Sequence, residues 1–370
     1  MNPFGLDLVK VLVTGGAGFI GSNLANSLLN EVEEDDKTSY RTNKSPTVQR
    51  NESHVNDEPE VSGCTVIALD DLSLGNPSNL SEKVRFVNGS VMNYGLVLEL
   101  TKDCDYIFHQ AALSSSPMFV DDPRQGIEVN VMGFMNVMEA AKRNKVKKVI
   151  YASSSSLYNG LPTPYRESDT VIPKTFYESS FYCRETIAQT YRLEYGLDSV
   201  GLRYFSVYGP HEKHKGRFAN NISQFIWDMA ENRKSPVIYG DGSQSRDFTF
   251  VDDVVQANIL AMRKKPNSSS GFVYNVGTGI QTSFNRIIEI INKQLSTDIK
   301  PTYTKNPINN YVQHTMADLS LAKLELGYEP RWINVEEGIK QLLGQLGFSR
   351  SSSVPSSSSS ASSSYPSIRI

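Results

Sequence analysis

The apolar positions of the chain follow two alternating rhythms. Val9–Val13, Thr65–Leu69, Val84–Asn88, Asp105–His109, Lys148–Ala152 and Ser199–Phe205 are short, mostly apolar runs of strand length. Between them, apolar residues recur every three to four positions. The first such stretch carries Phe19, Ile20, Leu24, Leu28 and Leu29, and later ones cover about Gln125–Asn144 and Phe176–Tyr195. Strand and helix alternate up to residue 207, which predicts a doubly wound parallel α/β sheet in a domain spanning 1–207. From Tyr208 the alternation loosens. Helical periods over Phe218–Asn232, Asp252–Arg263, Ser283–Leu295, Ser320–Leu326 and Val335–Leu346 mix with strand runs Val237–Tyr239 and Phe272–Val276. Residues 208–348 therefore read as a smaller, mixed substrate-binding lobe.

Two segments carry neither rhythm. Glu31–Gly63 is polar and dense in charge, and is expected to be a disordered insertion between the first helix and the second strand. Residues 349–370 form a serine-rich tail, also expected to be disordered.

Composition narrows the function classes. Apolar content of 39%, charged content of 21% and a net charge of −3 are those of an ordinary soluble globular protein, with no nucleic-acid or membrane-surface partner expected. No apolar run approaches the roughly 20 residues of a membrane span. The three cysteines, Cys64, Cys104 and Cys183, have an odd count and no metal spacing. They read as free thiols in a reducing compartment, and no metal site is expected. The chain enters its first strand without a signal-peptide pattern, so a cytoplasmic location is expected.

The strongest chemical signal lies between the first strand and the first helix, where Gly15, Gly18 and Gly21 form a G-x-x-G-x-x-G turn. The first amides of a helix have no internal partners, and the helix dipole adds positive potential, so this turn suits the pyrophosphate of a dinucleotide. Gly15 allows the sharp turn, Gly18 a close phosphate approach, and Gly21 tight helix packing. The second strand ends in Asp70 and Asp71. An acid there accepts the ribose hydroxyls and repels a 2′-phosphate, which favours NAD over NADP. In such sheets ligands bind at the carboxyl ends of the strands, which places Ser153–Ser156 on the same edge as the glycine turn.

Further motifs complete a pattern: TGGAGFIG at Thr14–Gly21, DDLSLGN at Asp70–Asn76, FHQAA at Phe108–Ala112 and NVMGFMNVMEAA at Asn130–Ala141. They continue with YASSSSLYNG at Tyr151–Gly160, LRYFSVYGP at Leu202–Pro210, IYGDGSQSRDFTFVDDV at Ile238–Val254 and YNVGTG at Tyr274–Gly279. The chain resembles the extended short-chain dehydrogenase/reductases, and within them the NAD-dependent nucleotide-sugar epimerases and dehydratases. The resemblance implies a Rossmann-like domain and a homodimer built on the two long helices, whose apolar Met132, Met135 and Phe181 fit either an exposed dimer surface or the core. It implies a nucleotide-sugar substrate, with 4-epimerisation of a UDP-hexose or UDP-uronate through a transient 4-keto sugar the reaction of first choice. Decarboxylation or dehydration is the alternative, and Ser155 and Ser156 stand where dehydratases carry an added acid.

Residue by residue, the resemblance implies that Tyr177 is the acid/base and Ser154 its hydroxyl partner. NAD would be held by Gly15, Gly18, Phe19, Ile20, Gly21, Asp70, Asp71, Ser73, Ser90, Val91, Ala111, Ala112, Asn130, Tyr177 and Phe205. The sugar nucleotide would meet Ser206, Asn220, Asn221, Tyr239 and Arg246.

The chain also departs from the family's pattern. The lysine one helical turn after the catalytic tyrosine is replaced by Phe181, and the literal Y-x-x-x-K of Tyr40–Lys44 lies in the polar insertion. An unperturbed tyrosine is about one part in a thousand phenolate at neutral pH. Arg184, two turns along the same face, and Lys174, just before the helix, are candidates to replace the missing charge. Phe181 also supports a rival reading, a cofactor-binding scaffold without catalysis. At the substrate end Ser206 stands for an asparagine, Ser90 for an aspartate, and Pro307–Tyr311 lacks a second diphosphate arginine. The loop with His211, Lys213, His214, Lys215 and Arg217 is a candidate to meet phosphate or a sugar carboxylate.

Overall fold

Strands whose residues alternate between two buried environments build the centre of the molecule. The computed structural model describes residues 9–38, 64–265, 272–306 and 311–348. Strands β1 (Val9–Thr14), β2 (Cys64–Asp70), β3 (Arg85–Asn88), β4 (Tyr106–His109), β5 (Lys148–Ser154), β6 (Ser199–Tyr204) and β7 (Val273–Val276) form one parallel sheet. Their order is β7-β6-β5-β4-β1-β2-β3. Val11 and Val13 enter one apolar core while Leu12 enters the other, and Phe108 and Ile107 divide in the same way. The period-two side-chain alternation of a strand buries both faces, which is why these runs are apolar without a polar phase.

Helices cover both faces. Helix α1 (Phe19–Thr38) shares a core with residues 254–261 of the helix Val251–Arg263. On the other face lie α2 (Tyr94–Leu100), α3 (Gly133–Asn144) and α4 (Phe176–Tyr195). Helix α4 has the span its periodicity predicts. Thr175 accepts a hydrogen bond from the Glu178 amide at 3.2 Å to start it, and Gly196 ends it at φ +68°. A separate core joins Tyr208, Phe225, Phe248, Phe284, Ile287 and Leu342 in the C-terminal lobe.

Several expectations need correction. The first eight residues of the polar insertion, 31–38, continue α1, and residues 39–63, with the Tyr40–Lys44 motif, lie outside the described residues. The serine-rich tail and residues 307–310 lie outside them too. The helix expected over Gln125–Asn144 is three joined pieces: Pro123–Ile127, a π-helical turn Glu128–Met132, and α3. The division at residue 207 does not follow the sheet, because β7 returns from beyond it to pair with β6, Val273 opposite Gly201.

Candidate active site

The sheet reverses its winding direction between β1 and β4, where Thr14 lies opposite His109. This is the crevice at which doubly wound sheets bind ligands. A cleft of about 790 Å³ opens there and runs from the glycine turn to the C-terminal lobe.

At the β1 end the turn leaves no room for side chains. Gly15 has φ +66°, and a Cβ on it would sit 2.7 Å from the Ala111 amide nitrogen. A Cβ on Gly21 would lie 2.0 Å from the Gly15 carbonyl oxygen. The helix therefore packs against the turn itself, and its first residues line the cleft beside Gly18. Asp70 closes the floor: its carboxylate accepts the Ala17 amide at 3.0 Å and the Leu72 amide at 2.8 Å. Burial raises its carboxyl pKa, and these amides oppose the shift. Asp71 and Ser73 line the same end, with the Ser73 amide donating to Asp71 at 3.1 Å. A backbone cradle with no space for a Cβ, bordered by carboxylates, fits a dinucleotide, and Phe19, Ile20, Val91, Ala111 and Ala112 complete its lining.

Next to it stand the acid/base candidates. Ser154 is the last residue of β5, and its Oγ lies 3.4 Å from the Tyr177 Oη. Tyr177 also donates to the Ser114 carbonyl oxygen at 3.2 Å, and the Ser154 hydroxyl accepts from the Ser156 amide at 3.2 Å. Burial raises the Tyr177 pKa, while the Ser154 hydrogen bond and then the Arg184 charge lower it. Beneath Ser154, the Ser153 hydroxyl donates to Glu185 at 2.6 Å, and Arg203 grips both oxygens of Glu185 at 2.9 and 2.7 Å. That buried network fixes β5 and β6 against α4.

At the far end, the Arg246 guanidinium lies between the rings of Phe284 and Tyr311, 5.5 and 5.1 Å from their centroids. It donates to the Ser245 and Gln313 carbonyl oxygens, and burial lowers its pKa. Ser206, at φ +33°, and Asn220 also line the cleft.

Five sequence candidates do not line it. Phe205 is fully buried in the apolar core against the stacked rings of Tyr158 and Tyr165. Asn130 is a brace: it accepts from the Leu113 amide at 2.8 Å and donates to Ser180 at 3.0 Å. Ser90 accepts the Met92 amide in a turn, Asn221 is exposed at a helix start, and Tyr239 lies on an exposed edge strand. The basic loop is mostly turned away. His211 bonds Ser22, His214 bonds Asn76 and Lys213 pairs with Glu231, which leaves Lys215 on the cleft.

Two carboxylates escaped the sequence reading. Buried Glu212 accepts from the Asn220 amide at 2.7 Å, Ser223 at 2.6 Å and Lys215 at 3.2 Å. Buried Glu178 holds the Asn159 side chain at 3.0 Å and the Lys174 amide at 2.6 Å. Glu212 sits among five basic residues and gave no signal. Glu178 follows Tyr177 directly and completes a T-x-x-E helix start that could have marked it.

Comparison with known proteins identifies a family for the chain. The family model described as the NAD dependent epimerase/dehydratase family matches residues 11–277. The chain is 31% identical to the UDP-glucose 4-epimerase of Mycolicibacterium smegmatis over 341 residues, covering 90% of this chain and 96% of that one. It is 32% identical to the UDP-glucuronate 4-epimerase of Thermodesulfobacterium geofontis over 345 residues, covering 89% and 94%. Among solved structures, the UDP-N-acetylglucosamine 4-epimerase of Methanobrevibacter ruminantium M1, in complex with UDP-N-acetylmuramic acid, superposes with a TM-score of 0.78. Identity there is 31%, and the match covers 92% of this chain and 99% of that one.

Proposed function

The chain belongs to the NAD dependent epimerase/dehydratase family, and from that premise we propose that it is a nucleotide-sugar 4-epimerase acting on a UDP-hexose or UDP-uronate. The observation that carries the reading is the Tyr177–Ser154 pair at 3.4 Å, lining one cleft with both the glycine cradle and Arg246. Bound NAD supplies a hydride acceptor and donor for the sugar carbon. Gly15, Gly18 and Gly21 would hold its pyrophosphate, and Asp70 and Asp71 its adenosine ribose. Tyr177 takes the proton of the sugar hydroxyl and later returns it, while Ser154 hydrogen-bonds the same oxygen and orients it. Arg246 is suited to the diphosphate through its planar fork, with Ser206 and Asn220 beside it. Ser155 and Ser156 offer no carboxyl acid for elimination, which favours epimerisation over dehydration.

The C-terminal lobe to residue 348 would supply the nucleotide-sugar end. A homodimer through the surface formed by α4 and the segment before α3 is supported by exposed Met132 and Tyr182, whereas Phe181 takes its alternative place in the core. A cytoplasmic setting is supported by the free cysteines Cys64, Cys104 and Cys183. Phe181 keeps a second reading alive, an NAD-binding scaffold without turnover. The deciding experiment purifies the protein, measures NAD released on denaturation, and assays UDP-, GDP- and dTDP-sugars for epimer formation. Bound NAD with conversion of a UDP-sugar is the expected result. Bound NAD with no conversion of any sugar would overturn the catalytic reading in favour of the scaffold.

A further inference from the structure

Arg184 is fully buried. A guanidinium out of water requires compensation, ordinarily from a carboxylate. Arg184 makes no such pair among the described residues; the neighbouring Glu185 is taken by Arg203. Its partners are three main-chain carbonyl oxygens: Asn130 at 2.7 Å, Ala111 at 2.9 Å and Ala152 at 3.4 Å. Ala111 follows β4 and Ala152 lies near the end of β5, and both line the cleft. The remaining face of the guanidinium covers the Phe181 ring, 4.9 Å from its centroid. Against the same phenylalanine, edge to face at 5.1 Å and 73°, stands the Tyr177 ring.

Tyr177, Phe181 and Arg184 thus form a column along α4, with a positive charge buried at its base. Carbonyl dipoles hold a cation but carry no net charge, so the site has a standing place for one negative charge. The titratable groups facing it are few. On α4 there are Tyr177 and Glu178, and Glu178 is engaged by Asn159 and the Lys174 amide. On β5 there is Tyr151, whose hydroxyl is sealed in the core without a partner among the described residues. On β4 there is His109, kept neutral by burial and by Arg184 itself. Of these, Tyr177 and Glu178 line the cleft, and with the Glu178 carboxylate engaged, Tyr177 is the one whose proton the proposed reaction moves. Lys174, the other candidate cation, is exposed and does not line the cleft, and its ammonium lies against Gly160.

We propose that Arg184 is the positioning cation of this site, standing behind Phe181 and stabilising the phenolate of Tyr177 that the proton transfer requires. The inference rests on the epimerase reading for its consequence in turnover, but its physical content is the ionisation of Tyr177.

The test is a near-ultraviolet phenolate titration of the purified protein, read as the difference between each background and its Tyr177→Phe counterpart. It is run for the natural chain, Arg184→Met and Arg184→Lys. Arg184→Met is expected to move the Tyr177 titration upward by about one pH unit or more, a tenfold loss of phenolate at fixed pH. Arg184→Lys keeps the charge and is expected to leave the titration in place, even if altered carbonyl contacts weaken cofactor retention. Where a UDP-sugar is converted, the limb of the kcat profile that rises with pH moves with the titration. A titration unchanged in Arg184→Met overturns the proposal and leaves Arg184 a structural brace. Should Arg184→Met fail to fold, Phe181→Lys decides. With the charge already supplied, its gain in kcat stays below about tenfold, and a larger gain overturns the proposal. If the natural chain converts no sugar, the epimerase reading fails, while the titration still judges Arg184.

Discussion

The Phe181 ring fills the helical position one turn after Tyr177 and meets it edge to face, 5.1 Å between centroids. An apolar ring here excludes water from the phenol and removes the adjacent point charge. Burial then dominates, and the hydroxyl of Tyr177 is harder to ionise than free tyrosine. The site keeps the geometry of an acid/base pair with an altered electrostatic supply, and four predictions follow from the pieces around it.

Replacing Tyr177 by Phe removes the proposed proton acceptor and leaves the Phe119 and Phe181 ring contacts intact. Turnover of a UDP-sugar should fall by about 10²–10⁴-fold, the usual contribution of a positioned acid/base group. NAD content per chain should not change. Ser154→Ala should lower kcat by a smaller factor, because Ser114 still holds the phenol. Steady-state kinetics with parallel NAD quantification checks both.

Gly15→Ala should abolish retained NAD. The new Cβ would meet the Ala111 backbone at 2.7 Å, and the left-handed backbone adds about 1–2 kcal/mol of strain. Gly21→Ala should be at least as damaging, since its contact is with a carbonyl oxygen at 2.0 Å. NAD released on denaturation and the thermal midpoint of each variant are the measurements.

Arg246→Ala should raise KM for the nucleotide sugar about 10- to 100-fold, in line with the roughly 1.5–3 kcal/mol of a charged hydrogen bond. Arg246→Lys should not restore it, because an ammonium cannot reproduce a planar fork between the Phe284 and Tyr311 rings. NAD content should be unaffected in both. An unchanged KM in Arg246→Ala would remove Arg246 from the diphosphate site.

His109 is fully buried, bonded through Nδ1 to the Thr14 hydroxyl at 2.8 Å, with no partner on Nε2 among the described residues. Burial first, then the Arg184 charge, hold its pKa well below the usual 6.5. The unfolded chain therefore binds a proton that the native protein refuses. Stability from this group is present above pH 6.5 and is lost as pH falls, at about 1.4 kcal/mol per unit. His211, also shifted downward by burial, adds in the same direction. His109→Gln should flatten the fall between about pH 6.5 and 5, measured by denaturant unfolding at several pH values.

Much of the fold was legible because it is written locally. A buried parallel strand needs a short apolar run, a packed helix needs a 3.6-residue period, and a left-handed turn needs glycine. Val9–Val13, Phe176–Tyr195 and Gly15 meet these conditions within a few residues of themselves. Tyr177 and Ser154 were legible through their places in motifs, and the structure brings them within 3.4 Å across 23 residues of chain. Phe205 and Asn130 misled for the same reason: a motif marks a neighbourhood, and only packing decides which side chains turn toward the cleft and which brace it from behind.

The sequence alone determined the glycine cradle and the acidic end of the second strand, which depend on residue type and short spacing. Through a family resemblance it also pointed to Tyr177 and Ser154 as the proposed acid/base pair and to Phe181 in place of the lysine. The tertiary structure decided what stands behind Phe181. Arg184 becomes a buried cation because three carbonyls, from residues 111, 130 and 152, converge on it from separate elements. No window of sequence contains that convergence. It arises when the sheet closes, and only closure sets how a charge is solvated and which neighbour feels it.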